Sequence, residues 1–138
     1  MKKIIVAIIA IMLTSSLFAS DVKATKAEKK LASDMRVMLD SIVDMQKAGF
    51  YDDVRVIKKA TDRLIVSLDS LLAVDPASYL PKEQKHAGKF AKKREKMIRM
   101  YANDLLESLE AKQYDDVIEN YNQIIRQCYS CHLRIRRR

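Results

Sequence analysis

The sequence predicts an all-α chain, an up-down-up-down antiparallel four-helix bundle. Three observations carry this. Only two glycines and two prolines occur in 138 residues, so turns are few and elements long. Apolar residues recur at steps of three and four, the helical period, and no stretch reads convincingly as a strand. One clear loop, DPASYLP from Asp75 to Pro81, separates two pairs of helical stripes.

Ahead of the helices stands MKKIIVAIIAIMLTSSLFAS. Lys2 and Lys3 precede an apolar run from Ile4 to Leu13, and Leu17-Phe18-Ala19 closes the segment. This is the pattern of a secretory signal peptide cleaved after Ala19. A retained anchor is the weaker reading, because the apolar run falls well short of the ~20 residues that span a bilayer. Residues 1–19 are thus expected to be removed, leaving 20–138 as one domain, in a bacterial periplasm, with no stable membrane span. The chain has 26 basic and 18 acidic residues. Loss of the two signal lysines leaves 24 − 18 = +6.

The first helix is expected at about 24–48, where Leu31, Met35, Met38, Ile42 and Met45 share a face, with Gly49 suited to the C′ position. The second, at about 51–73, carries Val54, Ile57, Thr61, Leu64, Leu68 and Leu71. The third, at about 83–111, turns Phe90, Met97, Ile98, Tyr101, Leu105 and Leu109 inward. The fourth begins near Tyr114 with Val117, Tyr121, Ile124, Cys128, Cys131 and Ile135. YDDV occurs at Tyr51–Val54 and again at Tyr114–Val117, each time where a helix begins. Aspartates there complement the helix dipole and its free N–H groups. Convergent capping explains four residues better than duplication does.

The last helix carries the chemistry. RQCYSCHLRIRRR, Arg126 to Arg138, holds the two cysteines of the chain and one of its two histidines. Cys-x-x-Cys-His is the attachment signal for c-type haem. On a helix, positions i, i+3 and i+4 lie on one face, so Cys128 and Cys131 can bond to the haem vinyl groups while His132 reaches the iron. Two other chemistries are weaker. A redox-active disulfide would suit an oxidising compartment, but thioredoxin-like motifs belong beside a βαβ pattern. Zinc would find three ligands and no fourth nearby.

A signal peptide, four helices and Cys128-x-x-Cys131-His132 near the C-terminus together resemble the cytochrome c′ family, the class II cytochromes c. The resemblance covers essentially the whole chain after residue 19. The tail CHLRIR, with Leu133, Arg134, Ile135 and Arg136, follows the pattern in which family members continue the motif. Class I cytochromes c usually carry the motif near the N-terminus instead. The resemblance implies one haem c with His132 as proximal iron ligand, and Arg136 as a haem propionate contact. It implies that the first helix sets the opposite face. A methionine there gives a six-coordinate electron carrier, and a non-ligating apolar residue gives a five-coordinate protein that binds nitric oxide or carbon monoxide. It also implies a homodimer through the first two helices. Family members often carry an arginine four residues before the first-helix ligand position. Here Leu31 precedes Met35 and Asp34 precedes Met38, so no propionate partner carries over from that helix.

Counting down the helices selects the candidate. His132 lies 18 residues beyond Tyr114, ~27 Å along the bundle axis. The matching depth in the first helix falls at Leu31 to Met35, and Met35 is on the inward stripe. Met38, one turn higher, is the alternative. The bland reading of both is flexible core filler. Arg94 interrupts the third stripe near the haem's depth, where snorkelling is its ordinary explanation. His86 sits ~10 Å beyond that depth and reads as a surface histidine. The basic run from Lys85 to Arg99 reads as a solvated face or as a surface steering an acidic redox partner. Nucleic acid is not expected as a partner outside the cytoplasm. The leading expectation is a periplasmic monohaem electron carrier, not an enzyme. The alternatives are a five-coordinate gas-binding protein and a helical interaction protein with a structural haem.

Overall fold

The computed structural model describes residues 25–75 and 86–135. The signal segment, residues 76–85 with most of the DPASYLP loop, and Arg136 lie outside them. Among the described residues the chain forms four helices and no strand. These are α1 (Lys26–Phe50), α2 (Val54–Ala73), α3 (Ala87–Glu110) and α4 (Tyr114–Ile135). They pack as an all-α four-helix bundle.

Local chemistry starts three of the four helices where it does. Thr25 and Glu28 form a reciprocal capping box, the Thr25 N–H donating to Glu28 Oε2 at 2.7 Å and the Glu28 N–H to Thr25 Oγ1 at 3.2 Å. Such a pair satisfies two of the N–H groups that a helix start leaves open. Asp53 caps α2 by accepting from the Val56 N–H at 3.2 Å. Asp115 and Asp116 lie in the first turn of α4, where negative charge is favoured.

The stripes then fill the core. Leu31, Met38 and Met45 of α1 are buried with Ile57, Leu64 and Leu68 of α2, Ile98, Ala102, Leu105 and Leu109 of α3, and Val117 and Ile124 of α4. Met35, Ile42, Tyr121 and Cys128 pack against this core from partly buried positions. The side chain of Ile135 lies outside the described set. Each fully buried leucine contributes about 1.5–3 kcal/mol.

Polar cross-links give the register of the antiparallel pairs. Arg63 of α2 donates to Ser41 Oγ at 3.0 Å and to Asp44 Oδ2 at 2.6 Å on α1. Arg99 of α3 reaches Asp69 of α2 at 2.8 Å, while Lys58 near the other end of α2 meets Glu110 at 3.5 Å. Asn120 of α4 donates to Ser108 Oγ of α3 at 3.4 Å. Neighbouring helices therefore run in opposite directions. α1 packs chiefly on α2 and α4 on α3, and the two hairpins meet chiefly along α2 and α3. The remaining helix pairs touch lightly. One link between α1 and α4 is the Tyr121 hydroxyl, which donates to the Ile42 carbonyl at 3.5 Å.

The two tight turns correct the sequence reading. Gly49 does not stop α1; it lies inside the helix, and the left-handed residue is Asp52 (φ 53°). The Asp53 N–H donates to the Ala48 carbonyl at 2.9 Å, and the Asp52 N–H to Gly49 at 3.5 Å. The second turn repeats this with Lys112 (φ 57°), Gln113 N–H to Ser108 at 2.9 Å and Lys112 N–H to Leu109 at 3.2 Å. Both are Schellman turns. The YDDV copies occupy different places in them. In the first, Asp52 is the left-handed residue and Asp53 the cap. In the second, Tyr114 already begins the helix. The echo is out of register with the turns, as separate capping solutions would be.

Candidate functional site

Cys128, Cys131 and His132 lie on the last turns of α4, at the end of the bundle away from the two tight turns. Both thiols are free and half-buried, and His132 is exposed. Cys128 continues the stripe of Val117, Tyr121 and Ile124 into the core. Burial pushes its thiol up to about 11, with the neighbouring Cys131 adding to the rise. Burial also raises Cys131, opposed by the Arg94 guanidinium. Neutral thiols are thus the resting form at this site.

The Tyr121–Ile42 link sets the level of α1 against α4. Eleven residues along α4 lead from Tyr121 to His132, and eleven back along α1 lead from Ile42 to Leu31. The backbone of His132 therefore stands level with Leu31. Met35 is about one turn, ~6 Å, and Met38 about two turns from that level, toward the tight turns. Helical side chains lean toward their own N-terminus. In these antiparallel helices His132 and Met35 lean toward each other, which closes a one-turn offset but not two. Met35 and Ile42, seven residues apart, share the stripe of α1 that meets α4. Met35 is half-buried, whereas Met38 is buried with 8% exposure.

α3 forms the other wall. Arg94 does not snorkel to the surface, as its stripe-edge position suggested. Its Nη1 donates to Oε1 of the buried Gln127 on α4. Its guanidinium lies 4.7 Å from the centre of the Phe90 ring, and that of Arg134 lies 4.5 Å from the same ring. The Arg94 Nε is buried and has no hydrogen-bond partner among the described residues. A buried N–H of a guanidinium left without an acceptor costs about 1–3 kcal/mol or more. This atom calls for an acceptor, and an anionic oxygen would suit it best.

Other expected residues fall apart from the motif. His86 is exposed at the start of α3, consistent with its surface reading. Arg136 lies outside the described residues. Among the described residues no three His, Cys, Asp or Glu side chains converge to hold a metal ion directly. An apolar cleft of about 100 Å³ opens between Met45, Gly49, Ile57, Leu105, Val117 and Tyr121. It lies at the tight-turn end, away from the cysteines, and is well below the roughly 300–1,000 Å³ of small-ligand pockets. No helix among the described residues is long and apolar enough to cross a membrane.

Sequence reasoning missed Gln127 and Glu95, both buried. Polar type argued for the surface; Gln127's partner Arg94 on another helix was not predictable from one stripe, whereas Glu95 and Arg99 stand at the readable i, i+4 spacing. None of the family models, curated proteins or solved structures compared with the chain matches it.

Proposed function

We propose that the protein is a c-type cytochrome of the periplasm that carries single electrons on one covalently bound haem, whose iron His132 and Met35 would hold. The observation that carries this is Cys128-x-x-Cys131-His132 on one side of α4, with both thiols half-buried. The residues fit the group. Two thiols stand one turn apart, and Cys128 and Cys131 would hold the group covalently as thioethers. The imidazole of His132 follows on the same face. The lightly joined α1–α4 seam lies in front of it, and the buried Arg94 Nε offers a donor to an anionic group. When bound, haem supplies one-electron iron chemistry.

The chain's own residues do the rest. Cys128, packed against the core, would anchor the group there, so that the buried stripes rather than the surface would exclude water from it. Met35, one turn from the His132 level with its side chain leaning toward it, would complete the iron's coordination and raise its potential. Arg94 and Arg134 place positive charge beside the motif, which favours the reduced state. The half-buried placement of Met35 on the face toward α4 favours the electron carrier over the five-coordinate gas binder.

The test is spectroscopic. The exported protein should keep haem mass and haem staining after denaturation, and its reduced spectrum should not change under carbon monoxide. Loss of all haem on acid–acetone extraction sinks the covalent reading. Immediate carbon monoxide binding by the wild type transfers the function to gas binding.

A further inference from the structure

α3 opens with a charge pattern that its own helix disfavours. Lys89, Lys92, Lys93 and Lys96 occupy positions i, i+3, i+4 and i+7, and all four are exposed. Like charges three or four residues apart repel on a helix surface. Lys89 also lies in the first turn, where the dipole disfavours cations. The first turn of α3 holds no acidic residue, and His86 adds no side-chain cap. Several basic side chains elsewhere are answered within the fold, Lys58 by Glu110, Arg63 by Asp44, and Arg99 by Glu95 and Asp69. None of the four lysines has such a partner among the described residues. A local rule broken this consistently marks a surface used for something other than folding.

The row runs beside the cysteine motif. On the adjoining arc of α3, Phe90 meets Arg134 and Arg94 meets Gln127, both on α4. A body resting on the lysines would lie one helix away from Cys131.

We propose that Lys89, Lys92, Lys93 and Lys96 form the docking surface for an acidic protein, a redox partner presenting a cluster of carboxylates. The proposal rests on the haem reading for its purpose, not for its contact chemistry. Complementary charge speeds such encounters and makes them salt-dependent. A bilayer suits the row less well. Helices that lie on anionic membranes bring an apolar face alongside the cations, whereas Ala91, Ile98, Ala102, Leu105 and Leu109 of α3 are buried.

The experiment compares the wild-type holoprotein with a variant carrying Lys89→Gln, Lys92→Gln, Lys93→Gln and Lys96→Gln. The probe is a flavodoxin, an acidic one-electron protein. Stopped-flow electron exchange and equilibrium binding are followed across ionic strength. The variant should exchange electrons at least tenfold more slowly at low salt, with a flatter salt dependence. Its thermal midpoint should equal or exceed that of the wild type, because the repulsion is gone. An unchanged rate and salt slope overturn the proposal. So does loss of binding to phosphatidylglycerol vesicles or to an oligonucleotide with flavodoxin exchange unaffected. Haem staining of the denatured protein separates the two readings. If haem is absent while lysine-dependent flavodoxin binding persists, the surface stands and the cytochrome assignment falls. If haem is present and binding ignores the lysines, the surface falls alone.

Discussion

Truncating three methionines of α1 one at a time should separate iron ligation from packing. Met45 is 3% exposed and Met38 8% exposed, so Met45→Ala and Met38→Ala each remove a nearly complete core side chain. The expected loss is ~2–5 kcal/mol. For a domain of this length the unfolding entropy is about 0.25 kcal/mol per degree. The two variants should therefore melt roughly 8–20 °C below the wild type. Met35 is half-buried, and its packing loss should be about half as large. Stability thus ranks Met35 last. Ligation ranks it first, because its side chain alone leans to the level of His132. Reduced protein of each variant is mixed with carbon monoxide and followed by its absorption spectrum, beside thermal melts. Only Met35→Ala should turn into a rapid binder and lose the near-infrared band of a methionine-bound oxidised haem. If Met35→Ala still refuses carbon monoxide, the level derived from Tyr121 and Ile42 is wrong. If Met38→Ala alone opens the site, the ligand stands one turn nearer the tight turns.

Three further outcomes are expected. Lys112→Gly should raise stability by about 0.5–1 kcal/mol, since a left-handed L-residue costs more than glycine loses in freedom; a lower melting temperature would contradict the Schellman reading of that turn. Arg94→Met should lower the midpoint potential in a redox titration without loss of covalent haem, because a cation beside the motif is removed; an unchanged potential places the guanidinium too far away to act. In the haem-free, reduced chain, burial holds the Cys128 thiol at about 11, against an ordinary value of 9.0. The unfolded chain loses its proton first, so stability should be full below pH 9 and fall as pH rises toward 11. At ~1.4 kcal/mol per unit the loss is about 2–3 kcal/mol. Cys128→Ala should flatten that slope in urea titrations at pH 8 and pH 11, and an equal slope in both proteins would show that the thiol is not buried as described.

Repeating side-chain positions were legible in the sequence, and long-range partners were not. Leu31, Met38, Met45, Ile57, Leu64, Leu68, Leu105 and Ile124 follow a helical period that no competing pattern contests, and all are buried. Gly49 misled because glycine most often ends a helix, yet Asp tolerates the left-handed region too, and Asp53 was positioned to cap α2 from the very next residue. The placement of Cys128 on the core stripe could be counted. The inward turn of Arg94 could not, because it depends on Gln127 of another helix and on the spacing between α3 and α4. The depth of α1 that faces His132 was readable only as a window, Leu31 to Met35, and a single hydroxyl bridge from Tyr121 to Ile42 narrows it to the level of Leu31.

Because the two hairpins are joined chiefly along α2 and α3, the bundle resembles a book whose spine is that pair and whose fore-edge is the meeting of α1 with α4. Each cover is a local hairpin with its own tight turn, and local contacts form fast. The fore-edge can part without unbuttoning either cover or the spine. Under the haem reading proposed above, a flat, rigid group held by Cys128 and Cys131 would be closed in last, from the side, where α1 meets α4. The topology then favours an order of assembly in which the hairpins form first, the spine next and the α1–α4 edge last.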